Sequence, residues 1–174
     1  MGGGIKIMKS VLISIQPKWC EPICNLIKTV EVRKNKPKLD TPFKCYIYCT
    51  KGRDMLYSVN GIAQPITTIN LDLKQDNTIQ TLNGKVIGEF VCDRIDIISN
   101  KDLQENFRRL SHIIVKSCLK VQELKDYLGY KNGYGWHISN LKIYDKPKEL
   151  SEFEKNKAPQ SWYYVEEVKQ CKKN

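Results

Sequence analysis

Histidine is scarce in this sequence and long apolar runs are missing, and both shortages exclude classes of function. The chain has two histidines in 174 residues, His112 and His137, so a histidine-based catalytic triad has little material. No apolar run approaches the roughly 18 residues of a membrane-spanning helix. There is also no Walker loop, dinucleotide fingerprint or zinc-hydrolase helix. We therefore expect neither a membrane nor a cofactor as a partner.

The seven cysteines do not have the spacing of a disulfide framework or of a common zinc site. Their number is odd and no signal peptide precedes them, which predicts free thiols and a cytoplasmic location. Cys20 and Cys24, like Cys45 and Cys49, are four residues apart, so a four-thiolate zinc site is conceivable. Neither pair forms a Cys-x-x-Cys loop, and both lie in apolar periodicity, where cysteine behaves as a small hydrophobe. We predict no metal.

Basic side chains are concentrated in one part of the chain. The sequence has 29 lysines and arginines against 19 acidic residues, a net charge of +10. Residues 28–53 contain eight basic and two acidic side chains, whereas residues 54–110 contain six and eight. This asymmetry favours a surface that faces a polyanion. A solvated, lysine-rich face is the alternative.

The segment 28–33, Lys-Thr-Val-Glu-Val-Arg, places three charged side chains at the start of the basic region. Val30 and Val32 alternate with Glu31 and Arg33, which predicts a strand with the valines on one face. Glu31 and Arg33 would then lie about 7 Å apart. Such a pair can form a preorganised site for an anion or a base, or it can be a surface ion pair of little energetic value.

The pattern of elements predicts one domain of α+β class, a small mixed β-barrel decorated by two or three helices. A helix is expected from Pro17 through Ile27, with Lys28 at its C-terminal end, and two shorter helices near residues 102–110 and 121–128. Residues 1–7 are expected to be an N-terminal extension or a cloning remnant, and about 58–84 an insertion outside the core. The predicted strands are mostly short and cover residues 10–15, 29–33, 45–49, 136–139, 141–144 and 162–165, with one long strand over 86–98 that Gly88 is expected to bulge or bend.

Residues 26–33 resemble the Gly-x-Lys-x-x-Glu-x-Arg signature of ASCH domains, which belong to the PUA-like superfamily. Leu26 stands where the signature has glycine. The resemblance is to ASCH proteins of phages and of low-GC Gram-positive genomes, and it implies a single PUA-like domain over residues 8–170. Further matching segments are 14–20, 86–90, 135–139, 144–147 and 159–162.

The resemblance also implies functions. PUA-like domains bind RNA, and nuclease activity is known in some ASCH proteins. A small relative is an amidohydrolase of N4-acetylcytidine that uses a lysine, a threonine and a glutamate. Its lysine corresponds to Lys28, Glu31 occupies the position of its threonine, and its glutamate falls near Ser117.

Three functions stay open at this point. The first is an RNA- or nucleotide-binding protein whose cleft is built around Lys28, Glu31 and Arg33. The second is a hydrolase, an amidohydrolase on a modified nucleoside or a ribonuclease, with Lys28 as base or nucleophile and Glu31 as proton shuttle. The third is an accessory phage protein that binds a host protein. The candidate binding residues are Lys18, Trp19, Lys28, Glu31, Arg33, Lys51, Trp136, His137, Ser161 and Trp162.

Overall fold

The fold is organised by a six-stranded sheet with the strand order β2-β8-β7-β3-β1-β9. A computed structural model describes residues 5–65, 68–69 and 78–170. Neighbouring strands of this sheet are antiparallel except for the parallel pair β1 and β3. The strands are β1 (Ile5–Ile15), β2 (Val30–Arg33), β3 (Phe43–Cys49), β4 (Leu56–Val59), β5 (Ile62–Pro65), β6 (Ile79–Thr81), β7 (Lys85–Ile98), β8 (Gly133–Lys148) and β9 (Trp162–Gln170).

Four α-helices occur in the described ranges, one more than the upper end of the prediction. They are α1 (Pro17–Cys24), α2 (Asn100–Glu105), α3 (Ser111–Ser117) and α4 (Val121–Leu128). The helix predicted near residues 102–110 is divided, because a 3-10 turn, Phe107–Leu110, separates α2 from α3. Gly129 ends α4 with φ +63°, as its position in the sequence predicted. The predicted α+β class is confirmed.

The sheet curls so that its two edge strands approach each other. Arg33 on the edge strand β2 donates to the main-chain oxygen of Ser14 on β1, and to the Oγ of Ser161, which directly precedes the other edge strand, β9. This curvature encloses the main core, which includes Val11, Ile13, Ile47, Phe90 and Trp136. The side-chain links between the edges give the sheet the form of a partly open barrel.

β1 and β8 are much longer than predicted, β7 is long as predicted, and the β7–β8 pairing is irregular at several positions. β1, β7 and β8 contain 11, 14 and 16 residues. At Gly88 a Cβ atom would lie 2.5 Å from the main-chain oxygen of Lys142, so only glycine fits this close approach of β7 and β8. Near Asn140, which has φ +47°, the β7–β8 register shifts as the change of alternation predicted.

The segment predicted as an insertion contributes to the core. Strands β4, β5 and β6 form a second sheet with the order β5-β4-β6. Ala63 on β5 and Leu82 after β6 are buried in the main core, so the expectation that 58–84 lies outside it is corrected. β1 starts at Ile5, within the predicted extension, and pairs there with Gln170. The domain boundaries themselves stay a prediction.

Candidate functional site

Lys28 reaches the candidate site through a turn, and not from a helix end as predicted. α1 ends at Cys24, because Leu26 has φ +60°, a left-handed conformation that cannot continue a right-handed helix. The main-chain N–H groups of Ile27 and Lys28 both donate to the carbonyl oxygen of Pro22. Leu26 and Ile27 are exposed, although their spacing predicted burial on the helix. The ASCH signature has glycine where this chain has Leu26, and the left-handed backbone conformation of this turn explains why glycine suits the position.

Lys28, Glu31 and Arg33 form a buried ion-paired cluster, which we call the charged floor. Their side chains are only 2%, 8% and 8% exposed. Glu31 Oε2 lies 3.3 Å from Lys28 Nζ, and Glu31 Oε1 lies 2.8 Å from Arg33 Nη2. Because the carboxylate bridges two cations, it neutralises one of two buried charges and holds both side chains in place. The alternative of a surface ion pair is therefore excluded by burial.

Lys28 also links β2 to a distant helix. Its Nζ donates to the main-chain oxygen of Ser117 at 2.7 Å. Ser117 is the last residue of α3, so the ammonium group satisfies a carbonyl at the C-terminal end of that helix. The resemblance placed a catalytic glutamate near Ser117, and here a main-chain oxygen contacts the lysine instead. Within the described structure Lys28 Nζ therefore has one hydrogen-bond acceptor, Ser117, and one ion-pair partner, Glu31.

A cleft of about 660 Å³ lies above the charged floor. This volume falls within the range of small-molecule binding sites. Its lining comes from α1 and the residue before it, from residues at or beside the ends of neighbouring strands, and from α4. Besides Lys28, Glu31 and Arg33, the lining residues are Ser14, Gln16, Lys18, Trp19, Val32, Thr50, Leu119, Glu123, Asp126, Tyr127, Gln160 and Ser161.

Trp19 forms an aromatic wall of this cleft beside both lysines of the site. Lys28 Nζ lies 5.2 Å from the centre of its ring, and Lys18 Nζ lies 4.9 Å from it. Both distances allow cation–π attraction. Trp19 is half-buried, so part of its ring is accessible from the cleft. An aromatic surface flanked by two cations can hold a planar, electron-rich or anionic ligand.

Tyr127 on α4 is a site residue that the sequence analysis did not select. It lines the cleft, as Trp19 does, and is 39% exposed. Burial, together with the nearby Glu31 carboxylate, raises the pKa of its phenol, although Arg33 acts in the other direction. A signal was present in the helical spacing, since Leu124 and Leu128 define the buried face of α4 and Tyr127 lies beside that face. Gln16 and Gln160 were also missed, although both lie in segments that carry the resemblance.

Six of the ten predicted binding residues line the cleft, and four lie elsewhere. The six in the cleft are Lys18, Trp19, Lys28, Glu31, Arg33 and Ser161. Trp136 is 0% exposed and packs edge-to-face against Phe43, which corrects the expectation that its ring faces a ligand. Trp162 packs against the main core between the rings of Trp136 and Tyr164. Aromatic rings usually pack in the core, and of these three tryptophans Trp19 lines the cleft whereas Trp136 and Trp162 do not.

His137 and Lys51 also lie outside the cleft lining. His137 Nδ1 is 2.6 Å from Asp93 Oδ1. Burial opposes ionisation of Asp93, but its bond to His137 keeps the carboxyl pKa below the ordinary value. Lys51 is exposed next to the cleft residue Thr50 and extends over Gly84. These placements make His137 a partner of Asp93 and leave Lys51 outside the cleft.

Of the six cysteines in the described ranges, Cys20, Cys45, Cys49 and Cys92 are buried. Burial raises the pKa of the Cys24 and Cys92 thiols to about 12, and the pKa of Cys20 and Cys45 rises for the same reason. No group of three or more metal-ligating side chains with suitable geometry occurs in the described part of the chain. The helices of that part are also too short and too polar to cross a membrane.

Comparison with solved structures identifies the class of fold. Matching structures include a crystal structure of the ASCH protein from Zymomonas mobilis, with a TM-score of 0.57 and 19% identity over 89% of this chain and 86% of the other. Two single-residue variants of that protein match with TM-scores of 0.59 and 0.58, at 19% and 18% identity. The first covers 90% of both chains, and the second covers 89% of this chain and 87% of the other. No family model and no curated protein sequence matches.

The protein thus has the fold of the ASCH proteins, of PUA-like architecture. This confirms, at the level of fold, what the resemblance of residues 26–33 and of the later segments predicted. The association with phages and low-GC Gram-positive genomes stays a prediction.

Proposed function

We propose that the protein binds RNA or a nucleotide in the cleft above the charged floor. The observation that carries this proposal is the combination of a buried Lys28–Glu31–Arg33 cluster with an accessible tryptophan ring in a cavity of about 660 Å³. Burying three charged side chains is costly unless they are fixed by one another. Here their rigid arrangement gives the cleft a polar floor below an aromatic wall, which suits a nucleobase.

Each part of the cleft has a role in this proposal. Trp19 offers a face on which a base can stack. Lys18 is exposed at the rim and can contact a phosphate group as a mobile cation. A further N–H bond of Lys28 can reach an acceptor on the ligand. The side-chain amides of Gln16 and Gln160 supply donors and acceptors for the polar edge of a base.

The charges that line the cleft are balanced, which bears on how much of a nucleic acid it can hold. Three cations, Lys18, Lys28 and Arg33, are matched by the carboxylates of Glu31, Glu123 and Asp126. A run of phosphates would meet the two carboxylates of α4 and be repelled. The cleft itself therefore suits the base and sugar of a single nucleotide, with a phosphate at the Lys18 side.

The test is identification of ligands that the purified protein retains, by mass spectrometry, followed by binding measurements with the four 5′-mononucleotides. Replacing Trp19 with alanine is expected to weaken binding by about tenfold, since loss of one stacked base costs roughly 1–3 kcal/mol. Tyr130→Ala, which removes an exposed ring outside the cleft, is the matched control and should bind normally. Equal affinities in the two variants would contradict the proposal.

A hydrolase that acts in the same cleft is the second candidate. The favouring observation is that Lys28 Nζ lies against Glu31 while it borders the cavity. In this proposal Lys28 first passes a proton to Glu31, and the resulting neutral amine takes a proton from water as the water oxygen adds to an amide carbonyl of a modified nucleoside. The C–N bond then breaks, and the leaving amine receives the proton held by Glu31, which restores the Lys28–Glu31 ion pair.

Turnover of N4-acetylcytidine and of short RNAs tests this second candidate. Lys28→Met keeps most of the aliphatic stem and removes the amine, so a hydrolase should lose its activity. Circular dichroism would check that the variant is folded. Activity that survives in folded Lys28→Met would rule out Lys28 as the base.

A further inference from the structure

Three lysines that follow β2 lie in order along a row of tyrosines. Lys34 Nζ is 5.0 Å from the ring centre of Tyr127, and Lys36 Nζ is 5.9 Å from that of Tyr134. The main-chain N–H of Lys38 donates to the Oη of Tyr164 at 2.8 Å. The strip ends at Lys9, whose Nζ lies 5.5 Å from the Tyr164 ring. We call these residues the lysine–tyrosine strip: Lys9, Lys34, Lys36, Lys38, Tyr127, Tyr134 and Tyr164.

The four lysines of the strip are exposed and unpaired with carboxylates. None of them forms an ion pair with an acidic side chain within the described ranges, whereas Lys44, Lys85 and Arg94 do. The aromatic neighbours of Lys34 and Lys36 leave the ammonium charges of these two lysines uncompensated. Exposed cations of this kind attract anions, and the attraction depends on salt.

The strip is continuous with the cleft. Tyr127 belongs to both, because it lines the cleft and carries Lys34 over its ring. Lys34 directly follows Arg33 of the charged floor, and Tyr134 is the residue paired with Arg33 across the β2–β8 ladder. A ligand that leaves the cleft past Tyr127 would therefore meet Lys34 and Tyr134 next.

We propose that the lysine–tyrosine strip binds the nucleotides of a single-stranded RNA that flank the nucleotide held in the cleft. This inference rests on the proposed function of the cleft and adds the class of ligand. The lysines contact successive phosphates, and the tyrosine rings offer surfaces on which unpaired bases stack. A duplex, whose bases already stack within the helix, cannot use those rings. If the cleft holds one nucleotide and the strip contacts the flanking phosphates, the cleft needs little net charge and the strip needs a positive one.

The experiment compares ligands of different length on two matched triple variants. Lys34→Gln, Lys36→Gln and Lys38→Gln are combined in one variant, and Lys101→Gln, Lys142→Gln and Lys146→Gln in the other. All six lysines are exposed, and each variant loses three positive charges. Affinities are measured for the four 5′-mononucleotides, for single-stranded RNA octamers of each base, for an eight-base-pair RNA duplex and for a glutamate octapeptide, over a range of salt concentrations.

We expect the wild-type protein to bind at least one octamer about tenfold or more tightly than its mononucleotide. The strip variant should lose that gain and keep its mononucleotide affinity, and the slope of log K against log salt should fall by about 2, at roughly 0.7 per phosphate. The control variant should behave as the wild type.

Other outcomes overturn the inference, and they separate it from the cleft proposal. The proposed role of the strip would be overturned if an octamer bound no more tightly than its mononucleotide. It would also be overturned if the two variants lost the same amount of octamer affinity. Equal affinity for the duplex or for the glutamate octapeptide would show that the strip recognises charge alone, and would also overturn it. If the wild-type protein bound octamers but no mononucleotide, the result would instead overturn the proposal that the cleft binds a nucleotide.

Discussion

Two clusters of the molecule combine lysine with glutamate, but they differ in what surrounds them. The charged floor is buried and lies under an open cavity. On another part of the sheet, Lys44 Nζ lies 3.5 Å from Glu89 and 3.1 Å from Glu167. There Tyr144 donates to Glu89 at 2.6 Å and Tyr46 donates to Glu167, so each carboxylate has both a phenol and the lysine. We call these five residues the outer network.

The comparison shows that a cluster of charged side chains indicates a ligand-binding site when those charged side chains themselves line a cavity. The charged side chains of the outer network are partly exposed, and its carboxylates are satisfied within the network. None of its five residues lines the cleft, and only its phenol Tyr144 borders a smaller cavity. Its stabilisation is that of a partly solvated ion pair. The charged floor is more expensive to bury, and it presents Lys28 towards a cavity. The following variants test this difference, from the largest expected effect to the smallest.

Glu31→Gln should destabilise the protein strongly, by about 3 kcal/mol or more, because two buried cations lose their shared carboxylate. The substitution keeps the shape of the side chain, so the loss reports charge and not volume. Urea denaturation monitored by circular dichroism measures it. Glu89→Gln in the outer network is the matched control and should cost less than about 1 kcal/mol. Similar losses of unfolding free energy in the two variants would contradict the difference between the charged floor and the outer network.

Leu26→Gly should stabilise the protein by up to about 1 kcal/mol, since leucine is strained at φ +60° and glycine is not. Leu26 is 70% exposed, so little packing is lost. The charged floor depends on this strained turn to present Lys28, whereas Lys44 lies within the regular strand β3. Thermal unfolding measures the change. The neighbouring Ile27→Gly, at an exposed residue without positive φ, should be neutral or destabilising, and a matching gain there would refute the explanation.

The outer network should show a small pH dependence. Burial opposes ionisation of Glu89, but the bonds from Tyr144 and Lys44 keep its pKa below the ordinary value of 4.5. A carboxyl whose pKa is lower in the folded state contributes stability above the unfolded pKa and loses it as pH falls through the folded pKa. The free energy of unfolding of the wild type should therefore exceed that of Glu89→Gln at pH 7 by less than about 1 kcal/mol, and the excess should vanish once the pH has fallen through the folded-state pKa of Glu89. An excess that persists below that pKa would contradict this assignment.

Local pattern predicted much of the backbone. The alternation around Val30 and Val32 predicted β2, and Gly129 predicted the end of α4. α1 was predicted three residues too long, because the spacing of Leu26 and Ile27 is helical while the chain turns away at Leu26. α3 was missed because Ser111–Ser117 has little amphipathic periodicity and is stabilised by packing against β2 and by Lys28.

The candidate site was predicted in part for a similar reason. Trp19, Trp136 and Trp162 all lie near turns, and sequence cannot distinguish which ring packs into the core. The curled sheet places Trp136 and Trp162 at the core and Trp19 at the cleft. Tyr127 and the strip it begins depend on α4 lying against the segment after β2, about 90 residues away in sequence.

The sequence by itself determined the ASCH-like signature, the α+β class and the presence of a basic region after residue 28. These follow from short-range spacing and from composition, and both can be read from the sequence without knowing which residues are in contact. Only the tertiary structure decided that all four residues of β2 are buried, including the charged pair that alternation placed on a polar face. Burial depends on Ser14, Ser117 and Ser161, which the chain brings to the charged floor from far apart, and no local pattern encodes such contacts.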